Sequence, residues 1–372
     1  MSNLSVGIVG LPNVGKSTLF NALLKKQAAY AANFPFATIE PNVGIVPVPD
    51  ERLGKLAEVV QHESNPSAPL RASRPPVVPS VIQFTDIAGL IAGAHKGEGL
   101  GNKFLHHIRE TDAILHVVRA FEDENIVKEG SVDPKADLEV IETELMMADL
   151  QTIENQASRL RDPKTNLKFK SAVEKLTQSL SQGIVARKVN FDDEEKNQVR
   201  QLSLLSIKPI LVALNISEGD LKKAEKIEEE FTQILHLKKQ QVIAISARLE
   251  EQLAGLDDEE RIVYLNEVGV EESGLERIIQ KAFACLGLIT FLTAGEKEVR
   301  AWTIKKETNA QVAAGVIHTD FEKNFIKADI VSFEDFIASG GWKNAREQGL
   351  VRQEGRGYVV NDGDVVEFKV GV

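Results

Sequence analysis

Cysteine is nearly missing. Cys285 stands alone in 372 residues, so no intrachain disulfide can form, and the chemistry suits a reducing compartment. It lies in the helical apolar run IIQKAFACLGL and reads as a core residue rather than a nucleophile. Long apolar runs are missing too. No stretch approaches the roughly 18 apolar residues that a membrane helix needs. The first residues pass into a strand pattern without the basic-then-apolar layout of a secretory leader, so a cytoplasmic location without a membrane partner is expected. Positive charge is in deficit, with 44 Lys and Arg against 55 Asp and Glu and a net charge of −11. A generalist nucleic-acid binder is usually basic, so specific DNA binding is not expected, though a local basic patch stays open. Internal repeats and low-complexity tracts are absent. Hydrophobic residues make up 43% and charged residues 27%, ordinary for globular domains, and the length allows two or three of them.

Against this plain background one stretch stands out. Residues 5–20 read SVGIVGLPNVGKSTLF. A short apolar strand pattern meets a helical one, and between them lies G-x-x-x-x-G-K-S from Gly10 to Ser17. Glycines there let successive backbone N–H groups converge on one point at a helix N-terminus, where peptide dipoles favour an anion. Asn13, Val14, Gly15, Lys16, Ser17 and Thr18 are the expected phosphate-contacting residues. Lys16 reaches the outer phosphates and assists their transfer, and the Ser17 hydroxyl is a ligand for Mg²⁺.

A phosphate loop alone does not separate a kinase from a switch. QFTDIAGL places Asp86 at the end of an apolar strand, where it can hold the Mg²⁺ shell, with Gly89 three residues later to approach a γ-phosphate. Thr38, in NFPFATIEPNVG between Pro35 and Pro41, is the candidate hydroxyl that reaches Mg²⁺ when a γ-phosphate is present. The glycine-rich segment from Gly89 to Gly101 suits a mobile loop beside a catalytic site. Leu90 follows Gly89 where many switch GTPases carry a water-orienting glutamine, and it cannot bond water. His116 and His95 are the candidate residues to position the nucleophile. A histidine in either setting is more often structural than catalytic.

Base recognition points away from guanine. ILVALNISEGD puts Asn215 at a strand end, where guanine readers carry N-K-x-D, but Ile216 replaces the lysine and Glu218 the aspartate. One extra methylene displaces a bidentate carboxylate enough to spoil both guanine bonds, whereas adenine has no 2-amino group to lose. Asn215 is expected to bond the purine edge, the Ile216 backbone to meet the adenine 6-amino group, and Ser246-Ala247 to support the base. ATP is the expected ligand, GTP a weaker one.

Along the chain, strand and helix patterns alternate over residues 1–133 and 209–287. With a phosphate loop this predicts a doubly wound, mostly parallel sheet of the α/β class. Residues 134–208 have no strand-like run. Leu138, Ile141, Leu145 and Ala148, then Leu150, Ile153, Ala157 and Leu160, recur at helical spacing, and Phe169, Ala172, Leu176 and Leu180 resume it after RDPKTN. This predicts a helical coiled-coil hairpin inserted in the sheet domain, with its turn near Asp162-Pro163. From Arg159 to Lys175 it carries six basic residues against two acidic ones, which suits either a solvated helix end or contact with a phosphate backbone. Residues 288–372 predict a compact α+β domain. TFLTA and EVRAWTI read as strands, NAQVAAGVIHTDF as helix, and Asn361-Asp362-Gly363 as the turn of a hairpin.

Together GLPNVGKST, NFPFATIEPN, DIAGL with GEGLGN, and NISE resemble the Obg-like ATPases, the YchF family, along essentially the whole chain. The resemblance implies a P-loop domain with an inserted helical arm and a C-terminal TGS domain of β-grasp fold. It implies slow ATP hydrolysis with weaker GTP use, and association with ribosomal particles or ribosomal RNA, for which the arm tip and TGS-like domain are the expected contacts. It also implies a hydrophobic residue for the catalytic glutamine, which Leu90 matches, and a histidine supporting hydrolysis at the His116 position. Asn13 matches a pattern seen in K⁺-stimulated relatives, so K⁺ is a candidate second cation beside Mg²⁺. Two other readings keep a place: a nucleotide-gated scaffold that barely hydrolyses, and a small-molecule kinase, for which no arginine-bearing lid flanks the phosphate motifs.

Overall fold

A computed structural model describes residues 4–33, 42–64, 74–87, 100–121, 133–156, 159, 162 and 165–371. Its described strands are β1 (Ser5–Val9), β2 (Val43–Pro47), β3 (Val77–Val78), β4 (Val81–Asp86), β5 (Ala113–Arg119), β6 (Ile210–Asn215), β7 (Val242–Ile245), β8 (Leu288–Ala294), β9 (Val299–Lys305), β10 (Phe325–Val331), β11 (Arg352–Glu354) and β12 (Val365–Val370). They build two sheets of six, ordered β2-β4-β1-β5-β6-β7 and β11-β10-β12-β8-β9-β3. The described residues fold as two compact units, one within residues 4–46 and 83–285, the other within residues 47–82 and 286–371.

In the first unit β4, β1, β5, β6 and β7 pair in parallel. Such strands are buried on both faces and read as continuous apolar runs. Ala113–Arg119 is buried at every position, as is Ile210–Asn215. The parallel direction brings the C-terminal ends of β1, β4, β5 and β6 to one edge, where the motif residues Gly10, Asp86 and Asn215 fall. The expected doubly wound α/β class is found.

The inserted helices join the sheet more intimately than a free coiled coil would. The helix Pro134–Glu154 starts sharply because Asp133 accepts from the N–H groups of Lys135 and Ala136, and Pro134 needs no donor there. Its stripe Leu138, Ile141, Leu145 and Ala148 packs into the sheet core with Ile114, Val118 and Val212. Only its far part, Met146 and Ile153, joins Phe169, Ala172, Val173, Leu176 and Leu180 of the helix Leu167–Ser181 in a second cluster. The helix thus starts at residue 134, the expected start of the arm, but its apolar stripe faces the sheet before it faces the hairpin partner. Much of the basic run is engaged. Lys168 pairs with Asp192 at 2.6 Å and Lys175 with Glu195 at 2.7 Å, while the Arg159 guanidinium lies 4.1 Å from the Phe169 ring centroid.

The second unit is α+β, as expected, but its limits are wider than residues 288–372. β8 and β9 form an antiparallel hairpin, β12 lies parallel to β8 and antiparallel to β10, and β3 adds to β9 in parallel. The helix Ala310–Ile317 covers one face through Ala310, Ala313 and Ala314, against Phe291, Trp302 and Ile330. On the other, Leu53, Leu56, Ala57 and Val60 of the helix Arg52–Ser64 pack with Leu292, Val299, Phe336 and Val365. Full burial of each large apolar side chain contributes about 1.5–3 kcal/mol. Residues 47–82, assigned above to the nucleotide domain, thus complete this core. The expected hairpin around Asn361-Asp362-Gly363 is also corrected. The turn forms, with Gly363 at φ +84°, but β12 already has β10 and β8 as neighbours, and Val359 makes only an isolated bridge to Asn309.

Candidate functional site

The loop between β1 and the helix Lys16–Asn33 is built on three residues with positive φ: Gly10 at +154°, Asn13 at +61° and Gly15 at +101°. A Cβ at Gly10 would collide with the Val117 carbonyl oxygen, and one at Gly15 with the Asn215 side chain, so both positions demand glycine. Val14 is the loop's anchor, with its side chain 1% exposed. Lys16 folds back, its Nζ donating to the Leu11 carbonyl at 2.9 Å. Burial pushes the Lys16 ammonium below its ordinary pKa, opposed by the charge of Asp86. Burial likewise raises the Asp86 carboxyl, opposed by Lys16. Two half-buried, opposite charges at the mouth of an amide-lined loop suit a polyphosphate and a metal.

A cavity of about 850 Å³ opens here, bounded by Asn13, Gly15, Lys16, Ser17 and Thr18 on the phosphate side and by Ile216, Glu218, Ser246 and Ala247 opposite. The structure therefore brings the loop and the two candidate base segments together. Asn215 has a structural role beside the one expected of it. Its Nδ2 donates to the Val14 carbonyl at 2.9 Å and its Oδ1 accepts from the Ala247 N–H at 2.9 Å. The side chain also lines the cavity and is a strut tying the phosphate loop to the Ser246-Ala247 turn; these two bonds use one of its two N–H donors and one lone pair of its oxygen. Ser246 caps the next helix by accepting from the Leu249 N–H. The Ile216 N–H is spent on the Ile245 carbonyl at 2.8 Å, and its side chain is 3% exposed.

Three cavity residues have no counterpart in the motif analysis: Phe121, Arg248 and Glu251. Arg119 holds Phe121, its guanidinium 4.6 Å from the ring centroid and its Nε donating to the Phe121 carbonyl at 2.9 Å. The only signal in the sequence was an aromatic residue just past the end of a buried strand. Glu251 accepts from Asn21 Nδ2 at 3.2 Å, and its carbonyl accepts from Lys25 Nζ at 2.9 Å.

His116 is not a cavity residue. It sits in β5, paired with β1 and β6, with 0% exposure, and neither ring nitrogen has a hydrogen-bond partner among the described residues. Burial, then the charges of Lys16 and Arg187, lower its pKa to about 3, so the imidazole is neutral. Cys285 behaves as a half-buried core residue. Its Sγ lies 3.7 Å from the Ile210 carbonyl oxygen, and burial pushes the thiol up to about 11, which keeps it protonated. Thr38, Gly89, Leu90 and His95 lie outside the described residues.

The donor set fits Mg²⁺. Ser17 and Asp86 offer hard oxygens, and an ion that keeps several waters and takes phosphate oxygens needs few protein ligands. Among the described residues no cluster of three or more His, Cys, Asp or Glu could hold a transition metal.

Residues 5–159 match a family model described as a 50S ribosome-binding GTPase, and residues 288–371 match the YchF-GTPase C-terminal model, described as a protein of unknown function. The chain is 47% identical to the ribosome-binding ATPase YchF of Bacillus subtilis over 378 residues, covering 99% of this chain and 100% of that one. It is 46% identical to the ribosome-binding ATPase YchF of Haemophilus influenzae, covering 98% and 99%. Its fold matches that of the Schizosaccharomyces pombe YchF GTPase with a TM-score of 0.84 and 37% identity, covering 99% of this chain and 98% of that one.

Proposed function

The chain belongs to the YchF family, and from that premise we propose that it is a Mg²⁺-dependent ATPase, using GTP less well, that works as a nucleotide-operated switch on ribosomal particles in the cytoplasm. The observation that carries the reading is the cavity itself. The strained loop Gly10–Gly15 supplies converging amides and Lys16 a cation, and the space beyond them ends at Ile216 and Glu218. Mg²⁺, bound through Ser17, Asp86 and Thr38, would supply charge neutralisation for the β- and γ-phosphates. Lys16 would leave the Leu11 carbonyl to meet the phosphate. Gly89 would donate its N–H to the γ-phosphate, and the Thr38 and Gly89–Gly101 segments would report its presence.

The base preference follows from what Ile216 has left. With its N–H spent, it can meet a base only through its carbonyl, an acceptor suited to the adenine 6-amino group and repelled by guanine O6. Phe121, held by Arg119, offers an aromatic surface for a purine. ATP should bind at least about tenfold tighter than GTP, within the range that one unpaired polar contact produces. Competition calorimetry checks this, and tighter GTP binding would overturn it. Glu218→Asp, which restores the shorter carboxylate, should narrow the gap by about tenfold.

The scaffold reading is favoured by one observation, that the neutral His116 ring lies in the sheet core. Single-turnover hydrolysis with and without ribosomes separates the two. We assign ribosomal RNA contact to the arm tip and to the C-terminal unit, which we read as a TGS-like β-grasp module. The pairing of Lys168 and Lys175 with Asp192 and Glu195 reduces the charge the arm offers. Among the described residues no helix is long and apolar enough to cross a membrane. The role of K⁺ at Asn13 is tested by comparing hydrolysis in K⁺ and Na⁺ buffers. Equal rates would exclude it.

A further inference from the structure

The helix Arg52–Ser64 is fastened at both ends into the C-terminal unit. At its start, the Arg52 guanidinium donates to Asp50, to Asp362 Oδ2 at 2.8 Å and to Thr290 Oγ1 at 2.8 Å, and Asp362 Oδ1 accepts from the Thr290 N–H at 2.8 Å. At its end, Glu63 accepts from the N–H groups of Lys343 at 2.7 Å and Trp342 at 3.2 Å, capping the helix Trp342–Glu347. A Cβ at Gly341 would strike the Glu63 carboxylate. Leu53, Leu56, Ala57 and Val60 between these clamps are 4% exposed or less. Yet this segment is flanked in the chain by β2 and β4 of the nucleotide sheet. β4 begins with Val81 and Ile82, grouped with the C-terminal unit, and ends at Asp86 in the nucleotide unit. Beside it the Val48 N–H donates to the Ser80 carbonyl at 2.8 Å, so the two ends of the inserted segment are tied together.

We infer that the described parts of residues 47–82 link nucleotide binding to the state of the C-terminal unit: β4, which carries Asp86, follows directly on Ser80, whose carbonyl is held by the Val48 N–H just ahead of the helix that Arg52 and Glu63 clamp into that unit's core. The inference rests on the assignment of Asp86 to the Mg²⁺–phosphate site. A ligand that pulls on Asp86 acts along β4 on Ser80 and, through its bond to Val48, on the start of the clamped helix. By thermodynamic reciprocity, loosening the clamp must change ATP affinity by the same factor with which ATP changes the clamp.

Hydrogen exchange on the full-length protein tests this. With saturating ATP analogue and Mg²⁺, exchange in Arg52–Ser64 and Leu288–Ala294 should change by at least about fivefold, the lower end of measured couplings. Arg52→Gln should shift ATP affinity by a comparable factor, and Glu63→Gln in the same direction. ATP binding seen by calorimetry with unchanged exchange in both segments would overturn the link and leave the nucleotide assignment standing. Arg52→Gln that loosens the C-terminal unit without altering ATP affinity would overturn it equally. No ATP binding at all would sink the nucleotide assignment and the link with it. The exchange measurement on the unaltered protein decides the matter even if Arg52→Gln does not fold.

Discussion

Two six-stranded sheets in one chain use the same materials to opposite ends. In the nucleotide unit β4, β1, β5, β6 and β7 run parallel, so their C-terminal ends share an edge. The backbone strain of Gly10, Asn13 and Gly15, the half-buried charges of Lys16 and Asp86, and the cavity all gather there. In the C-terminal unit strand directions are mixed and no such edge exists. Its buried acids are engaged within the unit: Asp329 is ion-paired with Lys327, Arg346 and Lys369, and Asp364 accepts from Tyr358 Oη and the Asn361 N–H. Parallel order concentrates reactive groups; mixed order distributes them as structural ties.

Breaking the contrast at its strongest point means removing the cation from the parallel edge. Lys16→Ala should weaken ATP binding at least about 100-fold, the worth of a lost charged hydrogen-bonding group, with an unchanged circular dichroism spectrum. Calorimetry that finds ATP still bound at wild-type affinity would refute the cradle. Next in size is Leu56→Ala, which should cost about 3 kcal/mol in urea unfolding through a cavity in the C-terminal core. The loss should appear as faster amide exchange in β8 and β9. If β1 and β5 responded instead, the helix would belong to the other sheet.

The smallest effect concerns His116 and pH. Its folded pKa of about 3 lies below the unfolded value near 6.5, so between these the unfolded chain binds more protons. Stability should therefore fall as pH drops through that window, by about 2 kcal/mol between pH 7 and pH 5 from this group alone. His116→Leu should flatten that slope in denaturant titrations. If it also lowers hydrolysis about 100-fold without weakening ATP binding, the ring acts on the reaction and is more than core.

The parts of the molecule legible from sequence were those encoded locally. Gly10, Gly15, Lys16 and Ser17 lie within eight residues, and the geometry they impose depends on little else. Asp86 and Asn215 were placed correctly at strand ends, since a buried parallel strand announces itself by its apolar run. The strut role of Asn215 was not legible because its two partners, the Val14 carbonyl and the Ala247 N–H, are backbone groups brought in by the fold. Phe121 was missed because an aromatic residue after a strand is compatible with any core. The stripe of Leu53, Leu56, Ala57 and Val60 showed that the helix has a buried face but not which sheet it faces. Spacing is silent on partners far away in the chain. The hairpin at Asn361-Asp362-Gly363 failed similarly: turn chemistry was right, and strand pairing was decided by neighbours elsewhere.

The clamp between Arg52 and Asp362 spans 310 positions of sequence. During synthesis the early helix leaves the ribosome with its apolar stripe uncovered, and most of the protein must be made before its cover arrives. A chain stopped short of residue 288 would hold a finished nucleotide sheet beside an orphaned helix, a greasy surface that quality-control proteases can find. Completion of the last segment is therefore a checkpoint on the first.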